Sequence, residues 1–239
     1  MLYSRREEGL HSPLDAATAK NHLRAPLQVS AEMVIESQPL HPCESIITPV
    51  GPFLDRATRF LLQRTAIPIR DCEIDHICYR TSTKGEYQRV VRALLEHGEM
   101  LVEGMIGGRP IATIALHQPL VYDCWSIRCI EVPCPKPGRA YASGLEHLEV
   151  VIAGLLLKAE RGTPYHSRPL LELFMGRFGQ SLPFDTRAVD KEVNADVSLS
   201  ISADCSVKFH VCGLFEVATL EKAQGLVEEV PVGYFDGVA

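Results

Sequence analysis

Ile74-Asp75-His76-Ile77-Cys78-Tyr79-Arg80 alternates in polarity, is rich in strand-forming side chains, and reads as a β-strand. Thr83-Lys84-Gly85-Glu86 follows with the spacing of a helix N-terminal capping box. Tyr87, Val90, Val91, Leu94 and Leu95 then recur at helical spacing, which predicts an amphipathic helix that Gly98 is expected to stop. Two strands, about 99–106 and 110–117, are predicted around Gly107-Gly108, a dipeptide suited to a tight hairpin. A further strand over about 125–132 ends at Pro133. The order is β-α-β-β-β. Past the Pro135–Gly138 linker it begins again: a strand over Leu145–Ile152, a helix over 167–178, alternating strands over 196–202 and 206–211, and a last helix near 218–228. One hairpin strand of this second half has no clear place. Upstream, Phe53, Ala57, Phe60 and Leu61 form one apolar helical stripe. The class is α+β. The expected division is an N-terminal extension, partly flexible, over 1–45, and a single domain over 46–239. Within that domain, module one spans about 70–133 and module two about 143–215.

Of the 239 residues, 46% are hydrophobic and 23% charged, ordinary values that exclude wholesale disorder. The longest apolar run, Val150 to Leu157, is far too short for a membrane span. A net charge of −6 argues against a nucleic-acid-coating protein, which would need a basic face. Eight cysteines without a Cys-x-x-Cys read as reduced thiols, and no secretory leader is visible. The expectation is a cytoplasmic protein without nucleic-acid or membrane partners. Dinucleotide, P-loop and Gly-x-Ser-x-Gly motifs are absent from the sequence.

Each half has a histidine in its first strand, His76 and His147. Each has a metal-ligand residue type near the end of its last strand, Glu131 and His210. Period 2 puts His76 with Cys78 and Arg80, His147 with Glu149, and His210 with Lys208, each opposite an apolar face. Three imidazoles and a carboxylate suit a divalent ion such as Zn, Fe, Ni or Mn. The residues alone leave this open against four ordinary strand side chains held by hydrogen bonds.

Several stretches resemble the YecM family, placed within the vicinal oxygen chelate superfamily whose fold is that of glyoxalase I and the extradiol dioxygenases. They are Asp75-His76-Ile77, Gly98-Glu99-Met100-Leu101, Met105-Ile106-Gly107-Gly108-Arg109-Pro110-Ile111, Leu116-His117-Gln118-Pro119, Ile130-Glu131-Val132-Pro133, Glu146-His147-Leu148-Glu149-Val150 and Lys208-Phe209-His210. They come in the family's order across roughly residues 52–225. The resemblance implies two βαβββ modules whose mixed sheets curl around a cleft. It also implies metal ligands on the first and last strands of each module, here His76, Glu131, His147 and His210. The superfamily more often has a carboxylate at the last position. The family's Asn-Pro-Thr strand start is Asn194-Ala195-Asp196 here.

Glu149 and His117 are the candidate acid/base groups, with Glu149 also placed to orient His147. Arg109, Lys208 and Asn194 are candidate substrate contacts. Glu146 falls on the opposite face by strict alternation and reads as a solvated or capping carboxylate. The first functional reading is a metal-dependent isomerase, lyase or oxygenase acting on a small polar, oxygen-bearing substrate. The second is a non-catalytic protein that binds a small ligand or metal in the same cleft. The third is a structural or partner-binding protein. Either a monomer or a homodimer is compatible.

Overall fold

The computed structural model describes residues 40–156, 165–179 and 182–237. Residues 1–39, most of the expected extension, lie outside the described residues. Cys43 and Glu44 are already buried, so the folded body begins slightly before the expected boundary. Helix α1 (Glu44–Ile47) leads into α2 (Gly51–Arg64), which carries Pro52 in its first turn, where a missing N–H costs nothing. The α2 stripe buries Phe53, Ala57 and Leu61 as expected and Leu54 besides, with Phe60 half-buried.

Strand β1 (Glu73–Arg80) is followed by α3 (Lys84–Leu94). Thr83 caps α3 by accepting the Glu86 N–H at 3.0 Å, and the Glu86 carboxylate returns to the Ser82 N–H at 2.7 Å. Tyr87, Val90, Val91 and Leu94 are buried as expected, while Leu95, which caps the helix end, is exposed. Gly98 does not cap the helix. It opens β2 (Gly98–Ile106), where a Cβ would stand 2.4 Å from the Ala115 carbonyl oxygen. Close backbone approach, not a left-handed cap, demands glycine there. The hairpin to β3 (Arg109–Tyr122) turns through Gly107 and Gly108, both at positive φ. β3 runs past the expected 117 because its register with β4 (Trp125–Pro133) slips between Ala115 and Leu120, which tolerates Pro119. Module two comprises β5 (Gly144–Val151), the short α4 (Ala153–Leu156), α5 (Arg168–Phe178), β6 (Asp196–Ser202) and β7 (Cys205–His210). Helix α6 (Leu214–Ala223) begins earlier than expected, and the chain beyond it lies along β2, where the Met105 N–H donates to the Glu228 carbonyl at 2.8 Å.

The strands form one mixed, curled seven-stranded sheet in the order β2-β3-β4-β1-β5-β7-β6. β1 pairs parallel with β4, and β5 parallel with β7, while β1 and β5 meet antiparallel at the centre. The two halves therefore repeat the same local arrangement. Module one is the full βαβββ. Among the described residues module two has three strands, and the missing one is reduced to a two-bond bridge between Asp185 and Ser198. One sheet face is apolar, with Ile77, Ile130, Leu148, Val150, Val207 and Phe209 fully buried. α5 covers part of it through Phe174, 5.0 Å from Phe209 between ring centres. Burying aromatic and aliphatic faces in this way is the main force closing the sheet. All eight cysteines are free thiols. Among the described residues no helix is long and apolar enough to cross a membrane.

Candidate metal centre

The site is laid out by strand register. One cross-strand row reads Glu131, Cys78, His147 along β4, β1 and β5. The next reads Cys129, His76, Glu149, Lys208 along β4, β1, β5 and β7. Neighbouring rows of one face lie two residues apart, so these side chains converge. His76, Glu131, His147 and Glu149 each offer a ligand atom, and the four atoms lie within 4.8 Å of one another. His76 Nε2 is 3.3 Å from Glu131 and 3.4 Å from Glu149, and His147 Nε2 is 3.5 and 3.3 Å from the same two carboxylates.

Two β-bulges complete the arrangement. Ile74 pairs with Val150 and His76 with Glu149, so Asp75 and His76 together oppose one residue of β5. Likewise Cys78 pairs with His147 and Tyr79 with Leu145, which makes Glu146 the extra residue on β5. Each extra residue is an acid, and each stands behind a histidine: Asp75 is 3.3 Å from His76 Nδ1, and Glu146 is 3.6 Å from His147 Nδ1. Glu146 also binds Arg80. The expectation of a solvated Glu146 on the far face is thus corrected, because strict alternation does not survive a bulge. Asp75 was missed for the same reason. It also receives the Leu214 N–H at 2.5 Å. Cavities of about 650 Å³ and 390 Å³ reach the two backing acids, the first lined by Arg80, Tyr141 and Glu146 and the second by Asp75, Cys129 and Cys212.

The other sequence candidates divide. Lys208 joins the cluster, donating to Glu149 Oε1 at 2.5 Å and to His147 Nε2 at 3.0 Å. His210 stands beside the cluster. Its Nδ1 faces Asn194 Oδ1 at 3.1 Å, its Nε2 faces Asp75 at 3.3 Å, and Glu149 Oε2 is 3.7 Å away. Glu149 takes the place in the four-residue group that the sequence reading gave to His210. Asn194, at positive φ, holds the His210 ring. His117 and Arg109 are not brought in. Thr113 of β3 pairs with Glu131, and these two lie four residues to either side of it, roughly 13 Å along the strand. His117 is exposed and lies within the register slip, and Arg109 sits at the hairpin base.

The electrostatics follow from burial and neighbours. Burial would raise the Glu149 carboxyl, but Lys208 and His76 hold it well below the usual carboxylate range. Glu131 is held down against burial by His147 and His76, and Asp75 by His210 and His76. Burial would lower His76, but Glu149 and Asp75 raise it well above the ordinary imidazole value. Both ring nitrogens of His76 are buried without a hydrogen-bond partner, since the carboxylate oxygens around them lie beyond good geometry. Buried imidazole nitrogens without a partner, facing ionised carboxylates, fit the binding of a cation. The donor set, two imidazoles and two carboxylates with acids behind both histidines, fits a divalent metal.

Comparisons with known proteins agree with this architecture. Protein YecM of Escherichia coli K12 is 35% identical over 94 residues, 39% of this chain and 50% of that protein. An uncharacterized protein of Haemophilus influenzae is 29% identical over 98 residues, 41% and 51% of the two chains. The chain thus matches about half the length of these curated relatives. The solved structural-genomics protein EC4020 superposes with a TM-score of 0.56 at 25% identity, covering 77% of this chain and 99% of that one. The family model described as YecM protein matches residues 44–221, a span that takes in both modules and every residue of the cluster. The chain belongs to the YecM family.

Proposed function

We propose that the protein is a metal-dependent enzyme of the vicinal oxygen chelate type, acting on a small polar substrate that offers neighbouring oxygens. The observation that carries this reading is the convergence of four ligand atoms from His76, Glu131, His147 and Glu149, with an acid behind each histidine. A divalent ion held there would polarise a bound oxygen and stabilise negative charge developing on it. Isomerisation, elimination and oxygenation all use that chemistry. The negative charges of Asp75 and Glu146, 3.3 and 3.6 Å from the two Nδ1 atoms, favour the protons there, which would leave both Nε2 lone pairs to a metal. Glu149, whose Oε2 lies 3.7 Å from His210 Nε2, would be the group to exchange a proton with substrate, with His210 and Asp75 beside it balancing its charge.

The test is metal content of untagged protein by elemental mass spectrometry, beside the His76→Ala/His147→Ala double variant. The expected result is about one equivalent in the wild type and none in the variant. Equal metal in both, or none taken up by the wild type from Zn, Fe(II), Ni and Mn, would overturn the proposal.

A further inference from the structure

We propose that Lys208 is the resident counter-cation of the metal centre, and that metal loading frees it to select an anionic substrate, a small compound carrying a carboxylate next to its metal-binding oxygen. This rests on the metal-centre reading above. Three observations support it.

The first is register. Glu131 pairs with Cys78, two residues beyond His76, and Lys208 pairs with Glu149, two residues beyond His147. Lys208 is therefore the counterpart of Glu131, so a position that bears a ligand carboxylate in module one bears an ammonium in module two. The second is contact. The Lys208 Nζ sits 2.5 Å from Glu149 Oε1 and 3.0 Å from His147 Nε2, on two atoms the metal would use. An ammonium and a divalent cation repel at such range, and the single Nε2 lone pair of His147 cannot serve both. The third is access. The Lys208 side chain is 28% exposed, against 1% for His76 and 7% for Glu149, and it hangs on a flexible four-carbon stem. It is the cluster member that can leave.

Charge decides what it does next. A divalent ion is balanced by Glu131 and Glu149, so the released ammonium is an uncompensated positive charge beside the substrate oxygens. That is a recognition element for a carboxylate.

Zinc affinity of the full chain, measured by competition with a chromophoric chelator, and oxalate binding to the zinc-loaded protein, measured by calorimetry, test the idea in wild type, Lys208→Met and Lys208→Arg. Lys208→Met is expected to bind zinc at least tenfold tighter and oxalate at least tenfold more weakly, while Lys208→Arg stays near wild type in both. A purely structural lysine would give the opposite zinc result, because its loss would loosen the site. Unchanged or weaker zinc binding in Lys208→Met overturns the proposal, as does undiminished oxalate binding in that variant. Either result leaves the metal centre standing. Failure of the wild type to bind zinc or any other divalent ion would instead remove the metal centre and this proposal with it.

Discussion

At the scale of single residues, the site depends on acids that lie next to its histidines in sequence. His76 and His147 were singled out because strand alternation separates a polar face from an apolar one, and Glu131 by its place near the end of a strand and by the family resemblance. Asp75 and Glu146 were not, because a bulge turns two successive side chains to one face, and its one local trace is a doubled polar pair, Asp75-His76 and Glu146-His147, that interrupts the alternation. Their role gives a direct expectation. Asp75→Asn should weaken zinc binding by roughly 10–100-fold, the usual cost of losing the carboxylate behind a metal-bound histidine. His117→Ala, about four residues along β3 from the partner of Glu131, should leave it unchanged. Chelator-competition titrations would check both, and equal affinity for Asp75→Asn and wild type would show that Asp75 does not orient His76.

At the scale of elements, the helix and hairpin signals behaved as local chemistry requires, and the glycine signal did not. The Thr83 cap forms with the predicted spacing, so Thr83→Ala should cost about 1 kcal/mol in a urea unfolding titration. Gly98 looked like a helix stop, yet it is where β2 meets the Ala115 carbonyl. A left-handed cap would accept Asn at little cost. A close-approach glycine accepts no side chain, so Gly98→Asn should cost roughly 1–3 kcal/mol or more by overpacking. A loss of only a few tenths of a kcal/mol would return Gly98 to the role of a terminator. The start of α6 was set by tertiary contact as well. Asp75 accepts the Leu214 N–H, and that partner comes from a strand far away in sequence.

At the scale of the whole molecule, the central pairing of β1 with β5 concentrates charge in a buried place, which makes stability depend on pH. Asp75, Glu131 and Glu149 are held below the ordinary carboxylate range, and Glu146 is lowered to about 2 as His147 and Arg80 overcome burial. Their contribution is present above about pH 4 and is lost as pH falls through the lowered values. His76 and His210 are raised by the acids around them. Their contribution is full below about pH 6.5 and is lost as pH rises through the raised values. With chelator present, the melting temperature should peak between about pH 4.5 and 6.5 and fall on both sides. Added zinc should reverse the alkaline fall, because metal needs neutral imidazole. A flat melting profile from pH 6 to 9 in chelator would contradict the buried cluster. By itself the sequence determined the α+β class, the βαβββ order of module one, the hairpin at Gly107-Gly108 and the histidine-bearing strands, since each rests on local periodicity and backbone preference. Only the tertiary structure decided that Glu149 rather than His210 completes the four-residue cluster, that Lys208 matches Glu131, and that Asp75 and Glu146 back the histidines. Those facts are set by register between strands distant in sequence, which local patterns do not encode, and by two bulges whose partners that register fixes.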